Sequence, residues 1–86
     1  MKIFIKLDSG FYTNEQNHWC YKNMIEIEWN LPFMPTEDDH FDAESIIDED
    51  MPEFDNGILS WTVDFIAWER IKKADCIAPV LWLKGE

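Results

Sequence analysis

The sequence predicts a small α+β domain: a mostly antiparallel sheet of about four strands in chain order β-β-α-β-β, with one acidic helix packed on one face. Three observations carry this expectation. Residues 2–7 and 25–30 alternate apolar and polar side chains with period two. The stretches 58–69 and 76–84 are apolar and rich in Ile, Val, Trp and Phe. Between them, an acidic segment bounded by Pro35 and Pro52 spaces its apolar residues as a helix would. At 86 residues there is room for one domain, 1–86, and 47% hydrophobic residues with five Trp and six Phe are enough to build a core.

The first strand follows from Ile3, Ile5 and Leu7 on one side and Lys2, Phe4 and Lys6 on the other. Asp8-Ser9-Gly10 is turn chemistry, and Thr13 to Asn17 reads as a polar loop. A second strand is expected from about Trp19 to Asn30, clearest where Ile25, Ile27 and Trp29 alternate with Glu26 and Glu28. Antiparallel pairing of the two would set Lys2 and Lys6 opposite Glu26 and Glu28. Pro32 and Pro35 make 31–35 a connector.

Thr36, with Asp39 three residues on, is the expected N-cap of a helix from about Glu37 to Asp50. That helix would put His40, Ala43, Ile47 and Met51 near one face and Asp38, Asp42, Ser45 and Glu49 on the other. Asn56-Gly57 signals a turn. In the stretch that follows, Ile58, Trp61, Phe65 and Trp68 also fall at helical spacing, but its β-branched and aromatic enrichment favours a strand over 58–69. Cys76 to Lys84 is the last strand, and Pro79 predicts that it lies at an edge or a bulge. On this reading Ile66, Trp68 and Phe4 point away from the helix.

Charge is the most uneven property of the chain. Eighteen acids and seven bases give a net charge of -11. Ten of those acids, and no base, fall between Thr36 and Asn56. The rest of the chain is nearly neutral. The expected partner site is therefore Glu37, Asp38, Asp39, Asp42, Glu44, Asp48, Glu49 and Asp50, a carboxylate surface suited to a basic protein.

Chemistry-bearing motifs are sparse. His18, Cys20, His40 and Cys76 are zinc-type ligands by residue type, but none has the paired spacing of a zinc site. Asp48 and Asp50 begin an EF-hand pattern that Pro52 interrupts. Glu26 and Glu28 lie two apart on a strand face opposite lysines, the pattern of an exposed sheet surface rather than of an acid–base pair. The three glycines stand apart, so no phosphate loop forms from them. Arg70, Lys72 and Lys73 are the one basic cluster, placed at a hairpin end, and direct nucleic-acid binding is not expected. Apolar runs are too short for a membrane-spanning helix, and the charged N-terminus does not resemble a signal peptide, which implies a cytoplasmic protein.

The functional expectation is a non-catalytic acidic interaction domain, with no cofactor and no metal, that binds a basic partner surface. Its narrower form is a nucleic-acid mimic, an inhibitor of phage or mobile-element type, because a helical row of carboxylates about 5–6 Å apart approaches the spacing of phosphates. Two other readings remain open. One is a carboxylate-based divalent-cation binder. The other is a small homo-oligomer, a homodimer included, formed through an aromatic sheet face or the Pro79 strand.

Overall fold

The computed structural model describes residues 1–7, 14–46, 52 and 60–85. β1 (Lys2–Leu7) forms as its alternation requires, burying Ile3, Ile5 and Leu7 on one face and turning Lys2, Phe4 and Lys6 to the other. β2 (Ile25–Glu28) pairs with it antiparallel, setting Ile3 opposite Ile27 and Phe4 opposite Glu26.

The helix lies elsewhere than predicted. α1 (Asn14–Lys22) occupies residues whose polarity suggests a loop and the start of a strand. It holds because Gln16 and Cys20, four apart, share its buried face. Glu15 in the first turn and Lys22 in the last match the helix dipole. Asn23 closes the end, its backbone N–H and side-chain amide donating to the Trp19 carbonyl at 3.0 and 2.9 Å.

The predicted acidic helix from Glu37 to Asp50 is absent over its described part. After a turn at 36–39 comes the short strand β3 (His40–Asp42), then one 3-10 turn (Ala43–Ser45). The extended backbone gains what a helix there would lack: β3 pairs with β4, and Phe41 packs on the core. It also avoids stacking carboxylates on successive helical turns. Residues 47–50, the rest of the predicted helix, lie outside the described residues, as do Asn56 and Gly57.

β4 (Ser60–Ile71) is a strand, and with β5 (Cys76–Gly85) it makes a long antiparallel hairpin. The sheet order is β2-β1-β5-β4-β3, with β1 and β5 parallel. The sheet therefore has five strands and is mixed, where about four mostly antiparallel strands are predicted. β5 is central, not an edge, despite Pro79. The conflict is relieved locally: Pro79 faces Trp68 of β4, and pairing with β1 begins one residue later, at Val80. The missing N–H thus falls just before the pairing of β5 with β1 begins.

A bulge at Asp64 resets the alternation of β4. Val63 faces Leu83 but Phe65 faces Trp82, so one extra residue is accommodated. As a result Ile66 packs on the helix-side core, contrary to expectation, while Phe65 turns to the other face and stacks on Trp82 at 5.3 Å. Phe4 does face away from the helix, and is buried there.

The described residues form two apolar clusters. The larger lies between α1 and the sheet and includes Ile3, Ile5, Leu7, Cys20, Ile46, Trp61, Val63, Leu81 and Leu83. The smaller, on the opposite face, joins Phe4, Ile71, Ala78 and Val80, with Trp82 against them. Trp61 is 1% exposed and anchors the larger cluster, whereas Trp68 is 66% exposed and belongs to neither. No helix among the described residues is long and apolar enough to cross a membrane.

Candidate functional site

The acidic segment begins with a turn tied to β4. The Asp38 N–H donates to the Val63 carbonyl, and the Val63 N–H donates to the Asp39 carbonyl, both at 2.9 Å. Asp38 has φ of 71°, a left-handed conformation that Asp tolerates better than most residues. Thr36 and Asp39 do interact, but as a turn. The Asp39 carboxylate accepts from the Thr36 N–H at 2.8 Å and from its hydroxyl at 3.3 Å, and the Asp39 N–H returns to the Thr36 carbonyl at 3.1 Å.

The strand that follows is held on both sides. Phe41 tucks inward, edge-on to Trp29 at 6.5 Å, while His40 Nδ1 lies 3.0 Å from the Thr62 hydroxyl. Asp42 sits opposite Ser60, and its carbonyl accepts from the Ser45 hydroxyl at 2.7 Å. Ile46, 1% exposed, pins the end of the 3-10 turn to the core.

The half-buried Phe41 and the buried Ile46 thus anchor a segment whose acids are exposed. Glu37, Asp38, Asp39, Asp42 and Glu44 all lie on one edge of the sheet, exposed to solvent. Asp48, Glu49 and Asp50 lie outside the described residues. Among the described residues the ion pairs are Met1 amine–Glu28, Lys2–Glu26, Arg70–Asp75 and Lys84–Asp64, and none uses an edge carboxylate. An acidic edge also blocks strand-to-strand association, because it places charge where a neighbouring backbone would pair.

Other sequence candidates are dispersed. His18 and the buried Cys20 are on α1, His40 is on β3, and Cys76 is exposed at the start of β5. Among the described residues no three His, Cys, Asp or Glu side chains converge as a metal site requires. Glu26 pairs with Lys2 at 3.5 Å and Glu28 with the terminal amine at 3.1 Å. Lys6 instead donates to the Tyr21 carbonyl at 3.0 Å.

The fold brings together bases that no local pattern in the sequence joins. Arg70, Lys72 and Lys73 are at the hairpin end as expected, but Lys2, Lys6 and Lys22 line the same groove with them. That is six of the seven bases in the chain. In sequence they are scattered, and no local motif announces them. Comparison with known proteins adds no relative: no protein-family model, no curated protein and no solved structure matches this chain.

Proposed function

We propose that the chain is a non-catalytic interaction domain whose acidic edge, from Glu37 to Glu44, engages a basic surface on a partner protein. One observation carries the reading: the edge carboxylates are exposed and make no ion pair with the chain's own cations among the described residues. Carboxylates left unpaired on an ordered surface keep their field for an incoming cation. Mimicry of nucleic acid is the narrower form of this proposal. It rests on the density of acid from 36 to 56 and not on helical spacing, since Asp38 lies in a turn and Asp42 in a strand.

The test uses an oligolysine peptide as a stand-in for the basic surface, titrated by fluorescence anisotropy. The wild-type chain is expected to bind, with affinity lost at about 1 M salt, where the screening length falls to about 3 Å. Asp38→Asn, Asp42→Asn and Glu44→Gln together should weaken it at least about tenfold by removing three attractive charges. Binding that survives both changes contradicts the proposal.

A homo-oligomeric reading is favoured by a separate observation. Trp68 and Ile77, diagonal neighbours across the hairpin, are 66% and 65% exposed. Light scattering decides it. Self-association abolished by Trp68→Ala would support this reading, and a monomer at high concentration would remove it.

A further inference from the structure

On the sheet face opposite α1, an open groove of about 790 Å³ runs between the α1–β2 connection and the β4–β5 turn. Its cationic lining is Lys2, Lys6, Lys22, Arg70, Lys72 and Lys73, against Glu26 as the one acid among the described lining residues. Phe4, Met24, Ile71 and Ala74 supply the apolar part, with Phe4 and Ile71 drawn from the smaller core cluster. In a chain of net charge -11, this concentration of bases is the reverse of the global balance.

The bases are not equally committed. Lys2 pairs with Glu26, Arg70 with Asp75 at 2.8 Å, and Lys6 reaches the Tyr21 carbonyl and lies 5.8 Å from the Trp82 ring centre. Lys22, Lys72 and Lys73 make no ion pair among the described residues. The acidic edge does not cancel them. Thr62, which pairs with His40, and Lys72 are ten residues apart, or about 30 Å along an extended strand. That is several times the screening length of about 8 Å at physiological salt.

We infer that this groove binds a small polyphosphorylated anion. Its volume falls in the range of small-molecule sites, roughly 300–1,000 Å³. Lysine ammonium groups act as mobile point charges suited to phosphate oxygens. A nucleic-acid strand is less well served, because strand-binding grooves stack bases on exposed rings, and Phe4, the one aromatic among the described lining residues, is only 6% exposed. An acidic peptide adding to the sheet at β2 would meet Glu26 and Glu28. This inference is independent of the acidic-edge proposal, and either can fail alone.

The experiment is calorimetric titration of the full chain at physiological ionic strength with sodium tripolyphosphate, orthophosphate and oligothymidylate in separate arms. Tripolyphosphate should bind saturably at one site, with Kd below about 1 mM, and orthophosphate more weakly. Lys72→Glu with Lys73→Glu, both in the exposed turn, should cost at least about tenfold by reversing two charges. Lys84→Glu, at the one base outside the groove, should change nothing. Three results would overturn the inference: no saturable binding of tripolyphosphate, an equal loss from Lys84→Glu, or tighter binding of oligothymidylate.

Discussion

The two ends of β4 carry opposite charge on the same scaffold. At Ser60–Thr62 the strand supports β3 and its flanking carboxylates. Past Ile71 it ends in the turn that carries Lys72 and Lys73 into the basic groove. At the acidic end the apolar anchors Phe41 and Ile46 face inward and the charges are left over on the outside. At the basic end the charges surround a concavity floored by Phe4 and Ile71. A net charge of -11 therefore describes neither end, and the two proposals assign cations to one surface and anions to the other.

Both ends depend on the strand that joins them. Trp61 is buried in the helix-side core and lies opposite Phe41 of β3. Trp61→Ala should cost about 3–5 kcal/mol of folding stability, a large part of the roughly 5–15 kcal/mol typical of a domain. Urea unfolding monitored by circular dichroism measures it. A loss below about 1 kcal/mol would mean that Trp61 is not the anchor described.

Each end can also be altered separately. The Lys72→Glu, Lys73→Glu pair should abolish most tripolyphosphate binding yet leave oligolysine binding intact, and the two titrations run side by side report it. The edge triple Asp38→Asn, Asp42→Asn, Glu44→Gln should do the converse. It should also leave the melting temperature unchanged or raise it, since it relieves repulsion among unpaired carboxylates and Asn tolerates the left-handed φ of Asp38. A substantial fall in melting temperature would mean that the edge acids hold the fold together.

The smallest effect is expected at the hairpin turn. Arg70 and Asp75 pair at 2.8 Å but are mostly exposed, so Asp75→Asn should change stability by no more than about 0.5 kcal/mol. Asp75→Ala should cost more, about 1 kcal/mol, because Asp75 has φ of 49° and alanine lacks the polar side chain that eases that conformation. Chemical denaturation of the two variants separates charge from backbone geometry.

What the sequence reveals follows which signals are local. β1 is legible from its period-two alternation, and β4 and β5 from runs rich in β-branched, aromatic and other apolar residues, signals that lie within each segment. α1 is hidden because its buried face rests on Gln16 and Cys20, which scarcely distinguish a helix from a polar loop. The acidic segment misleads for the opposite reason. Its carboxylates fall at helical spacing, but Phe41 and Ile46, which decide its conformation by packing, do not depend on that spacing. Pro79 suggests an edge because its tolerance in a central strand depends on where the pairing of β5 with β1 begins, a non-local fact.

The candidate sites divide in the same way. The acidic edge is visible as a run of residues, although only the structure places its described part on the turn before β3, on β3 itself and on the 3-10 turn after it. The basic groove is invisible until the parallel β1–β5 pairing and the long hairpin bring residues 2, 6 and 22 beside 70–73.

A two-probe titration followed by backbone amide NMR tests the separation of the two ends most directly. Oligolysine should shift resonances over Glu37–Glu44 and its β4 partners, while tripolyphosphate should shift those of Lys22, Lys72 and Lys73, with neither probe perturbing the other's set. Overlapping shifts, or none from either probe, would contradict it.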